Sequence, residues 1–249
     1  MKTLALALLV AAGAVASGQA SPAAARSDSA LFANDVVGAM DLLRDGLRRD
    51  SNDVELLWRA ARAKLVIGIL ARTRGATDSA YAESADYARR AVALAPNSAD
   101  MHYWLAAAQG RRALRARFRT ALPLARETHA AASRTLALDS LHAGGHDVMG
   151  KLHSEVRKLP WAVRKLAATL TGLEVAKKAS WESAEYHLQK SIALDPTFML
   201  ARVDLSQMYL RLGRRDTATA IVVAMEKMPA RTPVDAHFQR EARARLSWY

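Results

Sequence analysis

The side chains best equipped for chemistry are basic and imidazole groups, and they gather in two places. RRALRARFR (111–119) is the densest run of charge in the chain. On a continuous helix, Arg111, Arg112, Arg115 and Arg119 would lie within i+3 or i+4 reach of one another. Such a basic patch suits phosphate groups or carboxylates, which guanidinium forks bind in pairs of hydrogen bonds. The competing reading is a solvated helix end whose arginine stems cover apolar neighbours. Phe118 is the segment's single aromatic, too little for base stacking, so nucleic acid is not an expected partner.

The second place holds His142, His146 and His153, with Asp147 and Glu155 nearby. Imidazole is a common zinc ligand. Here the His-Glu-x-x-His pattern is absent, and His142 stands just before the Gly144-Gly145 pair. Structural roles are therefore expected, with no metal and no cofactor. Neither a Gly-x-Ser-x-Gly elbow nor a phosphate-cradling loop occurs. The absence of cysteine removes thiol catalysis, disulfides and cysteine-ligated metals. The expected function class is non-enzymatic.

These groups must be carried on helices. From residue 30 onward Ala, Leu and Arg dominate, and no stretch alternates apolar and polar residues over a strand's length. A small residue recurs with similar partners at +4, +7 and +12: Ala184, Leu188, Ser191 and Pro196; Ser84, Ala88, Ala91 and Pro96; Thr128, Ala132, Thr135 and Ser140; Gly38, Leu42, Asp45 and Asp50. That spacing marks the second helix of a helix-turn-helix repeat, in which small residues let two helices approach closely. The first helices align through Trp58, Leu105, Met149 and Leu205. Gly150 and Ser206 follow as the small members of the last two slots, and His153 and Tyr209 as their aromatics. This is a tetratricopeptide signature, but successive slots lie further apart than the ~34 residues of a standard unit. The extra length is expected in long helices and in inserts around 110–122 and 158–180. In the second insert Trp161, Leu166 and Leu170 would share one apolar side of a short helix. Trp58, Trp104, Trp161 and Trp181 are expected to pack between helices, and 233–247 to cap the array. The expected fold is an all-α, tetratricopeptide-like superhelix of about nine to eleven antiparallel-paired helices.

The first twenty residues read differently. Lys2 precedes an apolar run, Leu4 to Val15, and both Ala14-Val15-Ala16 and Gly18-Gln19-Ala20 fit a signal-peptidase site. The expected organisation is a signal peptide (1–20), a disordered linker (21–29) and a repeat domain (30–249). Cleavage near Ala16 or Ala20 would give a periplasmic or secreted product; the alternative is an N-terminal membrane anchor. The net charge of +12 suits an acidic protein partner or, alternatively, an anionic lipid surface.

Several strings are more specific than a generic repeat: ELLWRAARA (55–63), MHYWLAAAQG (101–110), DVMGKLHSEVRKLPWAVRKLAATL (147–170) and AEYHLQKSIALDPTFMLARVDLSQMYLRLG (184–213). Together they resemble the regulator of microtubule dynamics family over roughly residues 30–230, with this chain as an exported bacterial member. The resemblance implies a tetratricopeptide-like interaction module and supplies no catalytic residue. Eukaryotic members are linked to microtubules and to mitochondrial or endoplasmic-reticulum membranes.

In such an array the first helices line the concave face. The aligned slots then place Tyr103, Asp147, Lys151, Gln207 and Arg211 inward, with Lys64 and Arg111 further along their helices. That mixed, mostly basic lining suits an extended or helical acidic peptide. The slot that holds asparagine in carboxylate-clamping repeats is occupied by Ala60, Ala107, Lys151 and Gln207, so capture of a C-terminal carboxylate is not expected.

Overall fold

The computed structural model describes residues 21–171 and 174–247. The signal peptide expected over residues 1–20, and Trp248, lie outside them. The described residues form thirteen helices and no strand: α1 (Pro22–Phe32), α2 (Val36–Arg49), α3 (Val54–Leu70), α4 (Arg74–Leu94), α5 (Ala99–Arg115), α6 (Phe118–Leu138), α7 (Ala143–Lys158), α8 (Trp161–Thr171), α9 (Glu174–Lys178), α10 (Trp181–Leu194), α11 (Met199–Arg211), α12 (Arg215–Glu226) and α13 (Asp235–Leu246). Among them no helix is long and apolar enough to cross a membrane.

Local chemistry starts and stops these helices. Asp53, Thr73 and Ser180 accept hydrogen bonds from backbone N–H groups in the first turns of α3, α4 and α10. Gly213, at φ +74°, supplies the left-handed residue just past α11.

Residues 21–29 are not a disordered linker. Ser21 caps α1 by accepting from the Ala24 N–H at 3.3 Å, and Pro22 stands at the first helical position. Ala24 and Leu31 enter the core, and Asp28 accepts hydrogen bonds from Arg59 and Arg62 on α3. An alanine-rich segment that looks small and polar on its own thus gains a helix through tertiary anchors. This added helix, and the insert forming two helices, bring the count to thirteen rather than nine to eleven.

The pairs α3–α4, α5–α6 and α7–α10 pack most intimately, and α11–α12 forms a further pair, as a helical repeat requires. The insert 158–180 is α8 and α9, threaded between α7 and its true partner α10. It turns Trp161 (68% exposed) and Leu166 (47% exposed) outward, and Ala167 inward, contrary to the expected apolar side. No insert exists at 110–122: α5 ends, Ala116-Arg117 make an extended break, and α6 begins.

The small-residue pattern lies at the helix seams. Ser84, Ala88 and Ala91, then Thr128, Ala132 and Thr135, then Ala184, Leu188 and Ser191 are all buried. On α2 the buried set is Ala39, Leu43 and Gly46, one residue on from the expected Gly38, Leu42 and Asp45. Gly46 decides the register, since a Cβ there would run into the Leu56 side chain.

Packing also joins the two ends of the array. Val234, just before α13, packs with Leu31, Ala39 and Val66 of α1, α2 and α3. Ile69 of α3 packs against the cluster of Met199, Val203, Val222, Met225, Phe238 and Ala242. The superhelix therefore curls until α13 meets α3, and the concave face becomes an interior.

Candidate functional site

The interior is one cavity of about 1030 Å³. Its walls are mainly apolar: Leu65, Val66 and Ile69 from α3, Trp104 from α5, Met199 and Val203 from α11, and Phe238 from α13 are among the residues that line it. Small wall residues such as Ala106, Ala107 and Gly110 on α5 leave room that larger side chains would fill. A chamber of this size, with a largely apolar surface interrupted by polar and charged groups, is a common form of a binding site.

A polar line crosses it. Tyr103, Arg111, Asp147, Lys151 and Gln207, all expected on the concave face, line this one cavity. Two expected residues do not join them. Lys64 points toward α4, where its buried ammonium pairs with Glu83 Oε2 at 2.6 Å. Arg211, in the last turn of α11, is exposed outside the cavity. Lys64 stands on the side of α3 that meets α4, and Arg211 stands at the exposed end of α11, so neither shares the cavity wall.

The expected basic patch is also dispersed. Arg119 sits beyond the break, on α6, exposed. Arg115 pairs through Nε with Asp78 Oδ1 at 2.5 Å. Arg112 donates to Gln109 Oε1 at 2.8 Å, and Gln109 in turn donates to Glu127, which also takes Arg89 at 3.0 Å. Only Arg111 of the four faces the cavity, with its guanidinium 6.0 Å from the centre of the Phe238 ring. It makes no ion pair among the described residues.

Lys151 is committed. Its Nζ lies 2.7 Å from Asp204 Oδ1, 3.2 Å from Glu155 Oε1 and 3.4 Å from Gln207 Oε1. Burial works against its charge, but Asp204 and Glu155 outweigh it and hold the ammonium above the ordinary lysine value. Of these two wall cations, Arg111 is therefore free of ion pairs and Lys151 is not. Asp204 was missed from sequence, although it immediately precedes Leu205, the slot residue of its unit.

Asp147 is the anomaly. It is 2% exposed, lines the cavity, and makes no hydrogen bond among the described residues; its Oδ1 is fully buried without a partner. Burial, reinforced by the charge of Asp204, pushes its carboxyl well above the usual range against the pull of Arg111 and Lys151. Burial also raises the neighbouring Tyr103 hydroxyl, and the charge of Asp147 adds to the shift. An unsatisfied buried carboxyl is expensive and concentrates where a protein binds something.

The imidazoles form a different assembly, at the α7–α10 seam. His142 caps α7, accepting from the Gly145 N–H through Nδ1 at 3.0 Å while Nε2 meets Asp100 at 3.1 Å. His146 Nδ1 lies 2.8 Å from His187 Nδ1, and His146 Nε2 donates to the Ser140 carbonyl at 3.1 Å. His153 stacks on His187 with ring centres 5.8 Å apart. Burial, with the neighbouring imidazoles His146 and His153, lowers His187 to about 4. Among the described residues no three His, Asp or Glu side chains converge as a metal cage would require. His187 was not singled out from sequence; the signal was His146 and His153 seven residues apart, facing the next second helix.

With this geometry in hand, a model of the family described as regulator of microtubule dynamics protein 1-3 matches residues 24–249. The chain belongs to that family. It is 26% identical to regulator of microtubule dynamics protein 1 of Mus musculus over 196 residues, covering 78% of this chain and 64% of that protein. It is 25% identical to regulator of microtubule dynamics protein 3 of Mus musculus over 188 residues, or 75% of this chain and 40% of that protein. The chain thus spans well under the full length of these curated relatives. Among solved structures it resembles TTC0263, a thermophilic tetratricopeptide protein of Thermus thermophilus. The TM-score is 0.62 at 18% identity, with 91% of this chain and 98% of that one covered. The fold is therefore tetratricopeptide-like.

Proposed function

We propose that this chain is a binding scaffold whose interior groove holds an extended or helical segment of a protein partner. The observation that carries the reading is the single apolar chamber formed where the repeat array closes on itself, with Arg111 unpaired on its wall. Tetratricopeptide-like arrays offer such concave surfaces to peptides, and apolar walls supply the burial that binding requires. Arg111 would meet an acidic side chain of the segment with a charge-assisted hydrogen bond.

The relatives are named for microtubule dynamics. We do not carry that activity over, because the leader-like residues 1–20 suit an exported product. Intact-mass analysis of the protein from its native host tests the export: a first residue near 17 or 21 supports it, and retention of Met1 overturns it.

The groove is tested by crosslinking in that host and identifying the attached proteins. Ala107→Trp, which fills the chamber, and Arg111→Glu, which reverses its free charge, should each lose a partner that Arg211→Glu retains. The same partners at the same yield in all three variants would reject the groove.

A further inference from the structure

Among the described carboxylates that line the cavity, Asp147 alone has neither a hydrogen-bond nor an ion-pair partner. The other lining carboxylates have partners: Lys151 holds Asp204 and Glu155, Lys158 holds Glu155 at 2.7 Å, Arg245 holds Glu241 at 2.9 Å, and Asp195 accepts from the Thr197 N–H at 2.8 Å. Asp235 accepts the backbone N–H groups of Arg231 and Thr232, both at 2.8 Å. A carboxyl removed from water and left without a donor costs free energy that an apolar residue of similar size would avoid. It is held on α7, which packs against α5, α6, α9, α10 and α11, and is buried there.

We propose that Asp147 is the anchor for a lysine or arginine side chain of the segment bound in the groove. This rests on the groove reading and adds the chemistry of its occupant. An ammonium or guanidinium brings the donors that Oδ1 lacks, and its aliphatic stem matches the surrounding apolar walls. Arg111 and Lys151 do not fill this role, since neither hydrogen-bonds Asp147. The charge of the occupant is therefore not simply acidic. A basic side chain on Asp147 together with an acidic one toward Arg111 would fix both its position and its direction in the chamber.

The test uses calorimetric titration of the full chain with three acetylated, amidated seven-residue peptides. Each is built of leucine and alanine around one central residue: lysine, norleucine or glutamate. The lysine peptide should bind at least tenfold more tightly than the norleucine peptide. Asp147→Asn should abolish that preference while the norleucine peptide binds as before. Thermal melts followed by circular dichroism verify folding, and Asp147→Ser serves if the asparagine variant does not fold. A purely structural Asp147 would change the melting temperature and leave the preference intact, which overturns the proposal. Equal binding of lysine and norleucine peptides to the wild type, or tightest binding of the glutamate peptide, also overturns it. If none of the three peptides binds the folded chain, the groove reading itself fails.

Discussion

At the residue scale, free energy is concentrated in a few buried titratable groups. His187 is held down to about 4 by burial and by His146 and His153, so the folded chain favours its neutral form. The stability this contributes is fully present above the ordinary histidine value of 6.5 and is lost as pH falls from there toward 4. The ring is partly solvent-exposed, so the effect should be on the order of 1 kcal/mol after screening. We expect the melting temperature of the wild type to fall over that range, and His187→Gln to fall less steeply. Parallel curves would show that the imidazole seam does not set acid stability. Asp28 is the second case. It takes both Arg59 and Arg62, and the Arg59 side chain is buried. Asp28→Ala should cost about 1–3 kcal/mol, because a buried donor loses its acceptor. Faster tryptic cleavage at Arg26 would report the loosening of α1. The residue types here were readable in advance, but their partners were not. Nothing in the string connects Asp28 to Arg59, or Lys151 to Asp204, since each pair spans a turn of the array.

At the element scale, close approach of helices is what the small-residue pattern secures. At Gly150 a Cβ would stand 2.7 Å from Leu188 Cγ, 3.0 Å from the Leu188 nitrogen and 3.1 Å from the Ala184 carbonyl oxygen. Two of those atoms are backbone of α10 and cannot step aside. Gly150→Ala should therefore destabilise by about 1–3 kcal/mol through forced separation of α7 and α10. Urea unfolding measures this, and a loss below about 0.5 kcal/mol would show that the seam is looser than its geometry. Periodicity identified this seam correctly, along with those of α4 and α6, because the interfaces demand small residues at fixed spacing. It placed α2 one residue early, since Gly38, Leu42 and Asp45 satisfy the same pattern as the buried Ala39, Leu43 and Gly46. It also misplaced Trp161, whose exposure depends on how α8 is slung between α7 and α10.

At the scale of the whole molecule, the chamber exists because the two ends of the array meet. Val234 closes one side of the seam against Leu31, Ala39 and Val66, and Ile69 reaches the α11–α13 cluster on the other. Val234→Asp should cost about 1–3 kcal/mol, from burying an unpaired polar group. It should also part the ends, which small-angle scattering would detect as a larger radius of gyration and calorimetry as weaker peptide binding. An unchanged radius with unchanged binding would mean that closure is not what forms the site. The sequence by itself determined the helical class, the pairing of helices and five of the seven inward positions, because each follows from spacing within one or two helices. Closure, the burial of Asp147 without a donor, the commitment of Lys151 and the scattering of the arginine run were decided only by the tertiary structure. They depend on curvature summed over thirteen helices, where a small rotation per unit determines which side chains share a wall and which never meet.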